Sequence, residues 1–584
     1  MDKIYKLCGV SFGLALAMLV SGCSQNDVSD GDDRQGGFEA TSYVTLKFAV
    51  PSGSRSNPAG GEDGDVSECG QSKENEINSA VAFLYQDADN VNGSGDAQVT
   101  PIYFNNVDKA GASTYDATYI AGPQLVKLAN GDYHVLVVAN PGVDDWWNKS
   151  SLTLDEVRNH IQKSAWSKVG EEYSEFFMSS ESDAGITLAA NPQTSPAEVS
   201  VNVERMAARI DYKADGVFDC VDKSGSIRIT GAAIVNDFTA GSYLLKRVAD
   251  EVDGDVEYLG DETDNNGVGT NYVIDPLTAQ KTSSNNTFTL DGGAVFESRA
   301  VLFGTYFSGT AQNTDPNYWN RLCIVGTELK DDNNDTWHRI GYTFENTTAA
   351  AESGYTYNTA VVFKAQFVPA EGTIEGDYTV GSTFFRYMRV LYASMEDLVN
   401  AFYGRDFEKI FNTEGCFDNI STYGDLAGVV GKYLDAVSVD PSGYKAFLDK
   451  EIKGHGTEEA ISDKKSLIWS NYMLTNCGYK HNSGTVEVDC NGIQTRNILK
   501  QFGVNTYEDA TCYYTWLVKH ADNEDETIGK MEYGIVRNNI YKLTVNSVSS
   551  IGGDIPGENT DNNQILVRVK VNDWLMLRPE EIIM

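Results

Sequence analysis

Apolar residues recur at every second position in segment after segment of this chain, and that period decides what it can fold into. Val44, Leu46, Phe48 and Val50 alternate with Thr45, Lys47 and Ala49; Val199, Val201 and Val203 with Ser200, Asn202 and Glu204; Val567, Val569 and Val571 with Arg568, Lys570 and Asn572. Successive side chains of a strand point to opposite faces, so the pattern predicts strands buried on one side and wet on the other. Tyr133 to Pro141 is almost wholly apolar, as for a strand covered on both faces. Further strands are expected at Ala80 to Tyr85, Ile227 to Ile234, Ala300 to Phe307, Tyr357 to Phe367 and Tyr541 to Val548. Helical signals are few. Thr153-Leu154-Asp155-Glu156 has the capping-box pattern, with Leu154, Val157 and Ile161 at helical spacing. Ser394 to Asp397 precedes Leu398, Phe402, Phe407 and Phe411, and Asp440-Pro441 precedes Tyr444, Phe447, Leu448 and Ile452. No repeat of 20–50 residues is evident, which excludes solenoids and propellers. The expected class is all-β with minor α insertions, built as sandwiches.

The first residues read as an export signal. Lys3 and Lys6 precede an apolar run from Leu7 to Val20, shorter than the ~20 residues of a membrane span. It ends in Val20-Ser21-Gly22-Cys23. Small residues before a cleavage point mark a secretory signal, and a Cys directly after Ser-Gly is the lipoprotein form, in which Cys23 is acylated and becomes the new first residue. Ser24 to Asp33 is acidic, polar and aperiodic, and reads as a tether. No later stretch is long and apolar enough for a membrane helix.

The formal net charge of −39 argues against nucleic acid and anionic lipid surfaces, which need basic patches. Apart from Cys8 in the signal and Cys23, seven cysteines remain, an odd number without a framework spacing; Cys477 and Cys490, flanking a short loop, are a candidate pair. Beyond the signal segment, catalytic motifs of the G-x-S-x-G, H-E-x-x-H, C-x-x-C and phosphate-loop kinds are missing from the sequence. Cys477, His481 and Cys490 imitate part of a zinc site at a non-standard spacing. Asp331-Asp332-Asn333-Asn334-Asp335 opens like a calcium loop but has Thr336 where the sharp turn needs Gly, so it reads as a hairpin loop, as does Glu262 to Gly267. His134 reads as a structural histidine in a covered strand. No catalytic residue, metal or cofactor is expected.

Three segments resemble a known family. Val203-Glu204-Arg205-Met206-Ala207-Ala208-Arg209-Ile210 resembles the strand joining the two domains of the fimbrillins. Cys512 to Leu517 with Val536-Arg537-Asn538-Asn539-Ile540-Tyr541 resembles that family's most recognisable block, and Val567 to Trp574 its C-terminal strand. With the lipoprotein signal, the set is similar to major structural subunits of short (minor) fimbriae, a type V pilus class. The resemblance implies two transthyretin-like β-sandwich domains, carriage to the outer membrane surface as a lipoprotein, and a cut by a trypsin-like, Arg-specific protease in the loop after the first strand. That strand then leaves, and the C-terminal strand of another subunit fills its place to build a filament.

Mapped onto this chain, the resemblance implies a signal at 1–22, a lipidated tether and removable strand at 23–55, an N-terminal domain at 56–206, and a C-terminal domain at 207–584. The last would carry an α-containing insertion at about 372–500 and a donor strand at 565–584. Val44, Leu46, Phe48 and Val50 would be the inward side chains of the removable strand. Arg55, in the loop Gly53-Ser54-Arg55-Ser56, would be the cut, leaving Ser56 first. Val567, Val569, Val571 and Trp574 would be the donor's side chains. Partners would be other copies, accessory pilins and surface receptors. Two alternatives stand beside this: a tip adhesin or anchor of the same pilus, and a glycan-binding surface lipoprotein using Trp146-Trp147 or Trp319 as a platform.

Overall fold

The computed structural model describes residues 40–48, 67–86, 90–110, 119–142, 146–149, 151–170, 172–237, 241–250, 256–259, 271–276, 316–331, 334–347, 358–394, 397–398, 479–482, 485–488, 504–520, 531–556 and 565–575. The protein is nearly all β, and its strands form two sandwiches.

The first sandwich contains β1 (Thr41–Phe48), β3 (Ala80–Tyr85), β4 (Gln98–Phe104), β5 (Val107–Lys109), β6 (Tyr119–Lys127), β7 (Gly131–Ala139), β8 (Met178–Ser180), β9 (Ala184–Leu188), β10 (Ala197–Val201) and β11 (Val203–Arg205). One sheet has the order β10-β1-β6-β5; the facing sheet runs β11-β8-β7-β3-β4, with β9 also on β7. Buried side chains of both sheets belong to one core, which holds Val44, Leu46 and Phe48 from the first sheet and Ala82, Leu84, Val135 and Val137, all on one face, from the second. β3 and the apolar part of β7 are covered on both faces, as expected of such runs.

The strand β2 (Ser67–Cys69) lies between β1 and β3 in sequence but belongs to the second sandwich, with β12 (Ala208–Lys213), β13 (Phe218–Asp219), β14 (Gly225–Val235), β15 (Thr327–Lys330), β16 (Thr336–Thr343), β17 (Ala360–Pro369), β18 (Thr511–Leu517), β19 (Asn539–Val548) and β20 (Ile565–Leu575). Here the sheets run β2-β20-β19-β12-β16-β15 and β13-β14-β17-β18. Ile210, Leu543, Val567 and Val571 of one pack on Ile229, Phe363, Phe367 and Tyr514 of the other.

Local signals are realised where they are local. Helix α1 (Leu154–Asn159) opens on the expected capping box: the Glu156 amide donates to Thr153 Oγ1 (3.3 Å) and the Thr153 amide to Glu156 Oε2 (3.0 Å). It ends before Ile161, because Ile161 and Gln162 pair with Tyr243 and Ser242 in a short two-stranded sheet. The Asp331–Asp335 loop is the hairpin turn between β15 and β16, with Asp331 accepting from the Asp335 amide and from Trp337 Nε1. The insertion begins in β structure: Ile374–Glu375, Phe384–Tyr387 and Val390–Tyr392 share a sheet with Val504–Tyr507. Ser394 accepts from the Asp397 amide (3.1 Å), as a cap would. The helix candidates beyond Leu398, the strand at Ala300 to Phe307, and Cys477 and Cys490 lie outside the described residues.

Candidate functional site

β1 is an interior strand. It runs parallel to β10, with Val44, Leu46 and Phe48 opposite Ala197, Val199 and Val201, and antiparallel to β6, with Leu46 opposite Ala121 and Phe48 opposite Tyr119. Val44, Leu46 and Phe48 are fully buried. Full burial of three such side chains contributes roughly 5–9 kcal/mol. The start of the strand is fastened by the Tyr43 amide to Asn191 O (2.9 Å), and its outer face by Lys47 to Glu198 (3.0 Å). The ladder with β6 is interrupted at Gly122-Pro123, where the register shifts between Val44 and Leu46. Gly122 has φ +105°, and a Cβ there would lie 2.7 Å from the Val44 carbonyl oxygen, so only glycine lets the two backbones approach this closely.

After Phe48 the chain leaves this sheet, and it resumes at Ser67 in the other sandwich. The link between them, residues 49–66, holds Arg55 and Ser56; these two, Val50 and Cys23 lie outside the described residues. Strands β1 and β2 therefore share no sheet, and a cut anywhere in the link frees β1 from the rest of the chain.

The C-terminal strand β20 lies against β19 and, at its end only, between β19 and β2. It pairs antiparallel with β19, from Ile565 opposite Val548 to Asp573 opposite Asn539, and its last residues pair in parallel with β2. Val567 and Val571 are buried in the second core with Ile565, and Val569 packs against it half-buried. Trp574 pairs through its backbone with Glu68. In the chain by itself, these expected donor positions complete their own sheet.

The two family-like blocks around Arg205 and Arg537 meet at the joint between the sandwiches. Arg205 donates to Glu74 O (2.9 Å) and to Asn538 Oδ1 (3.2 Å). Arg209 is fully buried among Glu74 (2.9 Å), Asp211 (2.9 Å) and Glu68 (2.6 Å). Burial disfavours its charge, but these three carboxylates outweigh that and hold the guanidinium protonated. Burial likewise penalises ionised Glu74, yet Arg209, the Tyr342 hydroxyl and the Gln71 amide prevail and keep it below the usual carboxylate range. Arg537 forms a bidentate pair with Glu345 (2.7 and 2.6 Å) and reaches Ser179 Oγ of the first sandwich (3.4 Å). None of the glutamates in these clusters was legible beforehand. Their partners stand far away in sequence and no spacing announces them.

Other expected sites look different in place. Trp147 and Trp319 are 3% and 1% exposed, so neither offers a sugar platform. Trp146 is packed among Phe83, Trp147 and His160. His134 is half-buried, paired to Asp183 (2.9 Å) and stacked on Tyr85. Cys220, Cys323 and Cys512 are buried thiols, and Cys69 is half-buried. Among the described residues no group of His, Cys, Asp and Glu is placed to hold a metal, and no helix is long and apolar enough to cross a membrane.

Residues 42–206 match the family model of the major fimbrial subunit protein (FimA), and residues 505–579 match that of the major fimbrial subunit protein type IV, fimbrillin, C-terminal. The chain resembles the fimbrillins. The first fimbrillin match covers β1 and both sheets of the first sandwich; the second covers β18 to β20. Solved structures that align with the chain include a fimbrilin from Porphyromonas gingivalis W83, at 10% identity over 92% of this chain and 99% of that one, TM-score 0.34. A candidate cell adhesion protein from Parabacteroides distasonis aligns at 12% identity over 91% of this chain and 100% of that one, TM-score 0.39. The tip fimbrial protein Mfa3 of Porphyromonas gingivalis, with a C-terminal truncation, aligns at 8% identity over 91% and 100%, TM-score 0.30. No curated protein matches the chain.

Proposed function

We propose that this chain is a structural subunit of a surface fimbria that mediates adhesion. It is exported as a lipoprotein through Cys23, cut after Arg55, and polymerised by strand exchange with other copies and accessory fimbrial proteins. The observation that carries this reading is the placement of β1: an interior strand with fully buried inward side chains, whose link to the rest of the chain holds Arg55. Loss of β1 opens a groove between β6 and β10 with unpaired backbone on both walls, a template for another strand. We further propose domains at 56–206 and 207–584, divided within the block that runs from Val203 to Ile210, with β2 of the first crossing into a sheet of the second.

The donor follows from magnitudes. Withdrawing β20 from its own sheet would expose Ile565, Val567 and Val571. At ~1.5–3 kcal/mol each, their reburial in a neighbour's groove only returns what was lost. Nothing would remain to offset the ~4–15 kcal/mol cost of association. A donor drawn from residues 576–584, with Leu577, Ile582 and Ile583, leaves β20 in place as its root. The proposed arm is therefore this segment rather than Val567, Val569, Val571 and Trp574.

The test is first-residue sequencing and intact mass of protein sheared from the cell surface. High-molecular-weight material beginning at Ser56 is expected. Arg55→Ala should leave a lipidated monomer, and deletion of residues 576–584 should leave cut subunits that do not polymerise. Filaments beginning at an acylated Cys23 would overturn the reading.

A further inference from the structure

The first element after the cut loop lies against the root of the proposed donor arm. β2 pairs Ser67, Glu68 and Cys69 with Asp573, Trp574 and Leu575, the last three residues of β20 and the point from which the arm would leave. A three-residue edge strand has too short a ladder to hold itself in place. The Glu68 carboxylate supplies what the ladder lacks. Its Oε1 accepts from Arg209 Nη2 on β12 (2.6 Å), and its Oε2 accepts from Lys542 Nζ on β19 (2.6 Å) and from Asn572 Nδ2 on β20 itself (3.3 Å). Arg209, Lys542 and Asn572 are all buried, and the Glu68 side chain is 14% exposed. Lys542 also lies over the Trp337 ring, 4.2 Å from its centroid. One carboxylate thus joins four neighbouring strands of the sheet at the end where the arm departs.

We propose that β2 is a clamp on the root of the donor arm and that Glu68 is the positioning residue that closes it. The inference rests on the assembly reading above and adds to it which part of the subunit makes the arm ready to donate. With the clamp closed, Asp573 is paired on both edges, by β19 and β2, Trp574 and Leu575 are held by β2, and the arm leaves in one direction. That ordering is settled before association instead of during it, which favours docking. With Glu68 removed, β2 frays, its three donors lose their shared acceptor, and the arm leaves from a loose end. The groove walls, β6 and β10, are in the other sandwich and pair with none of the clamp's strands. The clamp therefore acts on donation and not on acceptance.

This asymmetry is what an experiment can read. Uncut subunits, whose groove holds β1, can only donate; cut subunits lacking 576–584 can only accept. Pairing of the two is followed by size-exclusion chromatography and native mass spectrometry. Glu68→Ala in the donor should slow pairing roughly tenfold or more, the loss of about one charge-assisted hydrogen bond. The same substitution in the acceptor should leave the rate unchanged, and Glu68→Gln, which still accepts hydrogen bonds, should recover much of the donor's rate. Hydrogen exchange in uncut Glu68→Ala and wild-type protein serves as a second reading, with faster exchange expected at 573–575 and no change in β6 or β10. Equal slowing in both roles, or none in either, would overturn the clamp. Wild-type donors and acceptors that fail to pair at all would overturn the assembly reading itself, and the clamp with it.

Discussion

Leu46→Ala separates a strand that stays from a strand that leaves. Leu46 is fully buried at the centre of β1, opposite Val199 of β10 and Ala121 of β6. Truncating a buried leucine costs ~2–5 kcal/mol through lost transfer energy and a residual cavity. Its neighbours belong to a close-packed two-sheet core that collapses little, so about 3 kcal/mol is the working figure. That is roughly a third to three-fifths of what burial of β1's inward side chains contributes. In a unit of this size each kcal/mol moves the melting temperature by ~2–4 °C, so the uncut protein should melt about 6–12 °C lower than wild type. Cut and assembled material no longer contains residue 46, so filaments of the two proteins should melt together. Differential scanning calorimetry of uncut protein and of sheared filaments measures both. A shift that persists in filaments means β1 never left; an unshifted uncut protein means β1 is not part of the core that the burial indicates.

Gly122→Ala should do the opposite. It places a Cβ 2.7 Å from the Val44 carbonyl oxygen at a φ of +105°, and because β6 is a wall of the groove whichever strand fills it, uncut protein and filaments should both lose about 2 kcal/mol or more in denaturant melts. His520 gives a pH dependence. Burial lowers its folded pKa from 6.5 to about 4, with Nδ1 on the Tyr541 hydroxyl (2.8 Å). The unfolded chain therefore takes up the proton first: stability is fully present above pH 6.5 and is lost as pH falls from there toward 4. The loss amounts to about 3 kcal/mol in urea unfolding at pH 7 against pH 4, and His520→Gln should flatten that part of the profile.

Much of the fold was legible because its signals are local. The alternation Val44-Thr45-Leu46-Lys47-Phe48 marks a one-sided strand whatever its neighbours, and Thr153 to Glu156 caps a helix within its own four residues. The failures have one cause. Ile161 fits a helical stripe by spacing, yet pairing with Tyr243 takes it into a strand. Trp319 and Trp147 could have been exposed platforms by sequence, and packing buries them. The strand β6, with Gly122-Pro123 in its middle, is not among the expected strands; pairing with β1 reveals it.

The candidate site divides along the same line. Which residues face inward on β1 and β20 is a property of short stretches of chain, and the sequence alone determined it. It could not determine that β1 lies between β6 and β10, that β20 completes its own sheet, or that Glu68 reaches Arg209, Lys542 and Asn572. Those are choices of partner between residues far apart along the chain. They are made by the packing of whole sheets and by the need of buried charges for one another, and only the tertiary structure decides them.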